Sequence, residues 1–269
     1  MIQTPYVLTD EQIAFYRENA FVKLKGVLPA DVLAHFNSVI TKKVIELNTM
    51  FLPMEERDTY SRAFLQVMNI WRNSAEVKRL VFSRRLAQIA TDLMGVSGVR
   101  LYHDQALYKE PGGGYTPWHA DQYYWPLSNS NTTTAWIPLQ ATPLEMGPVE
   151  FSAGSHTATG GRSLAIGDDS EEAINALLDD GGYRHVVEPF DAGEVSFHAG
   201  WLYHRAGPNT TGSPRGVMCI IYMDEMMQLA APRNENQRAD WEAWCPGAEV
   251  GSVIDTPLNP QLYKRMINR

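Results

Sequence analysis

Two histidines and an aspartate stand at spacings that suit a metal centre. His119 and Asp121 are two residues apart in the segment TPWHADQ at 116–122. Residues i and i+2 of an extended segment point to the same side, so both side chains can approach one ion. A His-x-Asp pair recurs by chance and is weak evidence alone. A second, distant histidine would complete two imidazoles and one carboxylate, a set that leaves one face of an octahedral iron open.

The predicted third ligand is His204, in the segment FHAGWLYHRAGPN at 197–209. It ends an apolar run beside a turn, where a strand can present a ligand. His198, six residues earlier, is the rival, and its alternative roles are a partner of the ligands or a buried histidine bonded to backbone. The eleven-residue spacing between His204 and Arg215 favours His204.

Arg215 is predicted to lie on the next strand, after a hairpin. A guanidinium there can bind a carboxylate through two parallel hydrogen bonds. A metal centre with a carboxylate clamp is what 2-oxoglutarate requires, because its keto acid end chelates the metal and its far carboxylate needs a cation. The residues themselves therefore indicate an iron centre that uses this cosubstrate.

Taken together, these segments resemble the phytanoyl-CoA dioxygenase family of iron(II)- and 2-oxoglutarate-dependent oxygenases. The matching stretches run from about Leu101 to Met223, with a weaker match in the helical start. They include the W-H-x-D-Q segment, the GSH turn at 154–156, the H-R-A-G-P-N segment and the arginine eleven residues after the second histidine. The resemblance implies a double-stranded β-helix fold, with Fe(II), 2-oxoglutarate and O2 taking part in the reaction.

The same resemblance assigns roles to seven residues of this sequence. The iron ligands are His119, Asp121 and His204, the arginine of the distal carboxylate is Arg215, and three further cosubstrate-pocket residues are Thr116, Trp136 and Gln105. Trp136 is offset by about one residue from the tryptophan of the name-giving enzymes. No coenzyme A-binding feature is recognisable, so the resemblance does not extend to an acyl-CoA substrate.

The hydrophobic pattern predicts a mainly β protein supported by N-terminal helices. Helices are predicted at 10–19, 32–47, 75–94 and about 170–180, and strands at 21–24, 99–108, 133–139, 147–151, 185–190, 194–198 and 216–223. Short strands at this spacing favour a cupin-like jelly roll. We expect one domain, 1–269, with helical support (1–97), a jelly-roll core (98–225) and a C-terminal tail (226–269). The tail is predicted as a loop over 228–258 with a last helix near 259–267.

The charge and composition of the sequence limit the classes of molecule that the protein is expected to bind. The net charge, 23 − 31 = −8, argues against nucleic acid and anionic membrane surfaces, so a small molecule is the expected substrate. No apolar stretch approaches the length of a membrane span and no signal peptide is evident. Two cysteines do not indicate a disulfide framework, and a cytoplasmic location is expected. Nothing in the sequence indicates an oligomeric state.

Several outcomes remain open at this point. The same three ligands support hydroxylation, desaturation, epoxidation or cyclisation. Halogenation is disfavoured, because halogenating relatives replace the carboxylate ligand with a small residue and this chain has Asp121. A non-catalytic cupin-like binding protein is the alternative of another class, but a sugar-binding module has no need of Arg215. His103 and Arg205 are expected to be structural, and the aromatics Trp118, Tyr123, Tyr124 and Trp125 suit pocket and core equally well.

Overall fold

The computed structural model describes residues 2–265. In this part of the chain the helices are α1 (Asp10–Asn19), α2 (Ala30–Leu47), α3 (Thr59–Ala63), α4 (Ala75–Val81), α5 (Arg84–Met94), α6 (Asp168–Asp180) and α7 (Glu235–Trp244). α1 begins as predicted, because the Thr9 side chain accepts from the Gln12 amide while the Gln12 side chain accepts from the Thr9 amide. No helix within residues 2–265 has the length and apolar character needed to cross a membrane.

The strands form two antiparallel sheets. They are β1 (Phe21–Leu24), β2 (Leu65–Met68), β3 (Gly98–Lys109), β4 (Thr116–His119), β5 (Thr132–Pro138), β6 (Val149–Ala153), β7 (Arg184–Val187), β8 (Val195–Ala199), β9 (His204–Ala206), β10 (Arg215–Asp224) and β11 (Gln261–Lys264). The larger sheet has the order β1-β8-β5-β10-β3-β11, with β2 also paired to β3, and the smaller has the order β4-β9-β6-β7. The predicted mainly β jelly-roll fold is confirmed.

Strand β10 shows why the sheets and helices assemble as they do. Val217, Cys219 and Ile221 join the cluster shared by the two sheets, where Phe21 of β1 stacks on Phe151 of β6 at 4.4 Å. The alternate residues Met218, Ile220 and Tyr222 join the cluster formed with α2, α4 and α5. Successive strand residues point to opposite faces, so a strand buried on both faces needs a continuous apolar run. β10 is therefore the centre of a helix–sheet–sheet stack.

The helix predicted over 75–94 is wrong in its continuity, because it is two helices. α4 ends at Val81, and Ser83 begins α5 by accepting a hydrogen bond from the Leu86 amide. The Ser83 hydroxyl also donates to the Ile2 carbonyl at 2.7 Å. A capping serine competes with the helical backbone for hydrogen bonds, so it starts a new helix at this position.

The C-terminal predictions also need correction. The predicted loop over 228–258 contains α7, whose first turn is capped by the Asn234 side chain accepting from the Gln237 amide. The last helix predicted near 259–267 is instead β11, which pairs with the start of β3. Its backbone is extended because the free edge of β3 there offers hydrogen bonds to a strand. Residues 266 and 267 of that prediction lie outside the described residues.

Candidate active site

The small sheet brings the predicted metal ligands together. His119 is the last residue of β4 and pairs with His204, the first residue of β9. Asp121 opens the 3-10 turn that follows β4. Its Oδ1 atom lies 3.5 Å from His119 Nε2 and 3.8 Å from His204 Nε2. One ligand atom from each residue lies within 4.8 Å of those of the other two, close enough for all three to bind one ion.

Both histidines present the same ring nitrogen to this point. His119 Nδ1 lies 2.8 Å from the Pro117 carbonyl, and His204 Nδ1 lies 3.0 Å from the Leu202 carbonyl. A carbonyl only accepts, so each Nδ1 must carry the proton and donate it. Each Nε2 is then left with its lone pair, which is the form that binds a metal.

The electrostatics of the group favour the metal-binding protonation states. Burial holds the pKa of His204 well below its usual value, so its imidazole is neutral. Burial would raise the pKa of Asp121, but the surrounding histidines, with His204 first, hold it well below the ordinary range. Neutral imidazoles and an ionised carboxylate are the donor set that suits ferrous iron.

His198, the rival ligand, lies beside the group and contacts its carboxylate. Its Nε2 atom is 3.6 Å from Asp121 Oδ2, whereas His119 and His204 approach Oδ1. Thr134 donates its hydroxyl to the same Oδ2 at 3.3 Å. His198 on β8 and Thr134 on β5 are cross-strand neighbours, so the large sheet orients the outer oxygen of Asp121. The role of Thr134 was not foreseen, because an isolated threonine in a strand carries no sequence signal.

Arg215 is a buried cation without an acidic partner in the described part of the chain. Its side chain is 1% exposed, and its guanidinium lies over the Trp136 ring at 5.5 Å from the centroid. Nη1 donates to the Gly147 carbonyl, while Nε is buried without a hydrogen-bond partner. Burial lowers the Arg215 pKa to about 10, so the side chain stays charged at neutral pH. An anion is needed to neutralise this group.

The turn that receives Arg215 depends on a glycine. Gly147 has a φ of +67°, and a Cβ atom there would lie 2.1 Å from the Gly207 carbonyl oxygen. The close contact holds this turn against the segment that follows β9. Any larger residue would displace the carbonyl that fixes the arginine.

A buried lysine lies next to Arg215. Lys109 of β3 pairs with Arg215 across the sheet and is fully buried. Its Nζ atom donates to the Gly114 carbonyl and lies 3.4 Å from the Thr116 hydroxyl. Burial, with the charge of Arg215, lowers the Lys109 pKa to about 6. Thr116 is thus held between this lysine and the cavity.

One cavity of about 310 Å³ contains all seven residues singled out from the sequence. They are Gln105, Thr116, His119, Asp121, Trp136, His204 and Arg215. Tyr124 and Trp125 also line it, whereas Trp118 does not and packs against His185 and the Arg205 side chain. Residues that the sequence did not assign to the cavity include Tyr60, Phe64, Met68, Ile166, Asp240 and Trp244. For α7, the Asn234–Gln237 cap was the available signal.

Arg205 has a structural role at this site, as expected, although it also lines the cavity. Its Nε donates to Glu150 at 2.8 Å and its Nη1 donates to Glu171 at 2.9 Å. Glu171 of α6 also accepts from the Trp118 amide at 2.7 Å. One carboxylate therefore links β4, which carries His119, to β9, which carries His204.

We expect Glu171→Ala to loosen the two ligand-bearing strands. Two donors lose their acceptor, at a cost of about 1–3 kcal/mol in the free energy of unfolding. Iron affinity should fall roughly tenfold, as for other residues that orient ligands. Thermal denaturation and anaerobic iron titration measure the two effects. Glu172→Ala is the matched control, because Glu172 is the next residue in the same helix and its side chain is exposed. Equal behaviour of both variants would contradict a bridging role for Glu171.

Comparison with known proteins agrees with this geometry. The chain is 23% identical over 271 residues to 1-deoxypentalenic acid 11-beta-hydroxylase of Streptomyces exfoliatus, covering 92% of each protein. It is 24% identical over 230 residues to the probable alpha-ketoglutarate-dependent hypophosphite dioxygenase of Stutzerimonas stutzeri, covering 79% of this chain and 77% of that protein. The crystal structure of the non-heme alpha ketoglutarate dependent carbocyclase SnoK, from nogalamycin biosynthesis, aligns with a TM-score of 0.78 and 26% identity, over 96% of this chain and 99% of that one.

Fold and site together define an iron- and 2-oxoglutarate-dependent oxygenase. Within that class, the chain belongs to the phytanoyl-CoA dioxygenase family, whose model matches residues 16–217. The matched range contains the histidines, the aspartate and Arg215 described above.

Proposed function

We propose that the protein hydroxylates a small organic molecule, with His119, Asp121 and His204 holding ferrous iron and Arg215 binding the distal carboxylate of 2-oxoglutarate. The observation that carries this proposal is the buried, unpaired Arg215 in the same cavity as the three ligand atoms. A buried charge is costly unless it is paired, so the cavity needs an anionic guest at this end. The distal carboxylate supplies the missing charge.

The residues around this end have complementary proposed roles. Trp136 holds the guanidinium plane by stacking, since Arg215 lies over its ring. Thr116 accepts from Lys109 and so turns its own hydroxyl proton towards the cosubstrate. Gln105 is fixed by the Gln66 side chain and forms the adjoining wall of the cavity. Together these groups fix the register of the cosubstrate relative to the ligands.

With iron held at this site, dioxygen would be the oxidant: it would take two electrons from 2-oxoglutarate, which is released as succinate and carbon dioxide, and two from a substrate C–H bond, with one oxygen atom entering each product. The protein's task is to orient the substrate and 2-oxoglutarate and to exclude water. The aromatic side chains that line the cavity serve that task. We place the protein in the cytoplasm, because ferrous iron and two unpaired cysteines suit a reducing compartment.

A spectroscopic titration tests the proposed function. Adding 2-oxoglutarate to anaerobic, iron(II)-loaded protein should produce a weak visible charge-transfer band, because the keto acid end chelates the metal. His119→Ala should give no such band under the same conditions. A wild-type protein that binds iron but gives no band with 2-oxoglutarate would contradict the proposal.

Ring closure is the second candidate reaction, favoured by the structural similarity to a carbocyclase. The mass of the product distinguishes hydroxylation from ring closure. Under labelled dioxygen, hydroxylation adds one labelled oxygen to the product, whereas cyclisation or desaturation removes two hydrogens and adds none. In both cases one labelled oxygen enters succinate.

We further expect no halogen in the product when chloride or bromide is present in excess. Asp121 occupies the position that a halide would need, and its negative charge repels an anion at that short range. Mass spectrometry of the wild-type product is the measurement. A halogenated product would refute Asp121 as an iron ligand.

A further inference from the structure

Helix α7 forms part of the cavity wall. Asn236 donates to the Tyr123 hydroxyl at 3.1 Å, and Gln237 donates to the Tyr123 carbonyl at 3.0 Å. These bonds tie the helix to the turn that begins at Asp121. Asp240 and Trp244 are four residues apart, so they share one helix face, and both line the cavity. α7 thus places a carboxyl group inside the active-site cavity.

This carboxyl lies at the opposite end of the cavity from Arg215. Along β3, His103, Gln105 and Leu107 line the cavity in turn, and Lys109 then pairs with Arg215. Six strand residues span roughly 20 Å. Asp240 belongs to the His103 end, because Trp244 on the same helix face contacts the His103 ring, with the ring centroids 5.4 Å apart and the planes tilted by 43°. The five-carbon cosubstrate cannot reach from Arg215 to this end, which is left for the substrate.

Asp240 is held in place but keeps capacity for a ligand. The Tyr102 hydroxyl donates to its Oδ2 atom at 2.7 Å, and the Trp244 side chain also bonds to it. Within residues 2–265 no lysine or arginine pairs with it, and burial, together with the charge of Asp121, raises its pKa to about 7. A carboxyl offers about four acceptor positions, so a hydrogen-bond donor of a ligand still finds a site.

The same end has no free cation for an anionic ligand. Among the described residues that line the cavity, Arg205 is engaged by Glu150 and Glu171, and Arg215 lies at the far end. His103 is uncharged at neutral pH, because burial lowers its pKa to about 4. An anion placed here would meet no compensating cation, and it would be repelled by the ionised form of Asp240.

The cavity also has apolar and aromatic walls. The residues that form them include Phe64, Met68, Trp125, Ile166 and Trp244. Flat aromatic walls favour a ring system, which buries much apolar area at little conformational cost.

We propose that Asp240 anchors a hydroxyl or amine donor of a non-anionic, ring-bearing substrate. This proposal rests on the proposed function, since it takes the Arg215 end to hold 2-oxoglutarate. It distinguishes this protein from its two named relatives, because 1-deoxypentalenic acid and hypophosphite are both anionic at neutral pH. Asp240 contacts the substrate and sets its orientation relative to the iron ligands.

Binding of three matched compounds tests the proposal on anaerobic protein loaded with Fe(II) and 2-oxoglutarate. We would titrate 2-naphthol, 2-(aminomethyl)naphthalene and 2-naphthoate by calorimetry. At least one of the two donor compounds should bind about tenfold more tightly than 2-naphthoate, which corresponds to about 1.4 kcal/mol. The preference between the donor compounds identifies the group as a hydroxyl or an amine.

Variants of α7 complete the test. Asp240→Leu should weaken binding of the preferred donor compound by about tenfold. Asp240→Asn keeps an acceptor for Tyr102, and its affinity for 2-naphthol should stay within a few-fold of wild type. This variant keeps the test decisive if the leucine variant misfolds. Glu235→Gln, at a side chain 92% exposed on the same helix, should change nothing.

Three results would overturn the assignment of Asp240. They are equal wild-type affinity for 2-naphthoate, unchanged affinity of Asp240→Leu for the donor compounds, and no wild-type binding of either donor compound. Failure of the proposed function has a different signature, because 2-oxoglutarate itself would then give no charge-transfer band with the iron-loaded protein.

Discussion

Replacing His204 with alanine should abolish substrate-coupled turnover, and Asp121→Ala should do the same. His119, Asp121 and His204 converge within 4.8 Å, so removing either residue leaves two ligands and an incomplete iron site. Iron content after dialysis and 2-oxoglutarate consumption measure the loss. Both should fall to background in each variant, and thermal denaturation should show that the fold persists.

His198→Ala is the matched control for His204→Ala. His198 approaches Asp121 Oδ2 at 3.6 Å, so its loss should disturb the orientation of that carboxylate without removing a ligand. Residues in this position typically contribute roughly 10- to 100-fold to metal affinity, so some iron binding and turnover should remain. Near-normal activity in His204→Ala together with its loss in His198→Ala would make His198 the third ligand.

Replacing Arg215 with leucine should weaken 2-oxoglutarate binding on the order of a hundredfold. A hydrogen bond to a charged group contributes about 1.5–3 kcal/mol, and each 1.4 kcal/mol is about tenfold in affinity. Iron affinity should change little, because Arg215 is not among the three ligands. The charge-transfer band, followed as 2-oxoglutarate is added, gives the affinity for 2-oxoglutarate. A titration with iron(II) in the absence of 2-oxoglutarate gives the affinity for iron.

Two further variants make the Arg215 experiment specific. Arg215→Lys keeps the charge but loses the planar pair of donors, so its affinity should lie between those of wild type and leucine. Lys109→Met removes the neighbouring amine, which bonds to Thr116 and does not line the cavity. Its effect should be smaller than that of Arg215→Leu. Unchanged 2-oxoglutarate affinity in Arg215→Leu would assign the distal carboxylate to another basic side chain, with Lys109 the nearest.

The cosubstrate end of the cavity was largely predictable from sequence. Arg215 begins the strand that follows His204, as the eleven-residue spacing predicts, but the predicted hairpin is wrong, because β9 pairs within the small sheet and β10 within the large one. Cross-strand neighbours such as His198 and Thr134 were harder to place, because their contact depends on the register of β5 and β8. No local pattern in either strand specifies that register.

The substrate end was largely unpredicted, for a physical reason. Phe64 and Met68 come from short segments in the helical region, and Asp240 comes from a helix with weak amphipathicity. These elements are held by side-chain bonds to distant residues, such as Gln237 to Tyr123. Local hydrophobic periodicity does not report contacts of that kind.

Helix α7 lies beyond the range that matches the family model, which ends at residue 217. The range common to the family therefore includes the proposed iron ligands and Arg215, while Asp240 is carried by a segment outside it. The proposed substrate anchor is consequently encoded in a different part of the gene from the proposed iron ligands and Arg215. Substitutions on the cavity-facing side of α7 would offer evolution, or a protein engineer, a route to new substrates that keeps those four residues in place.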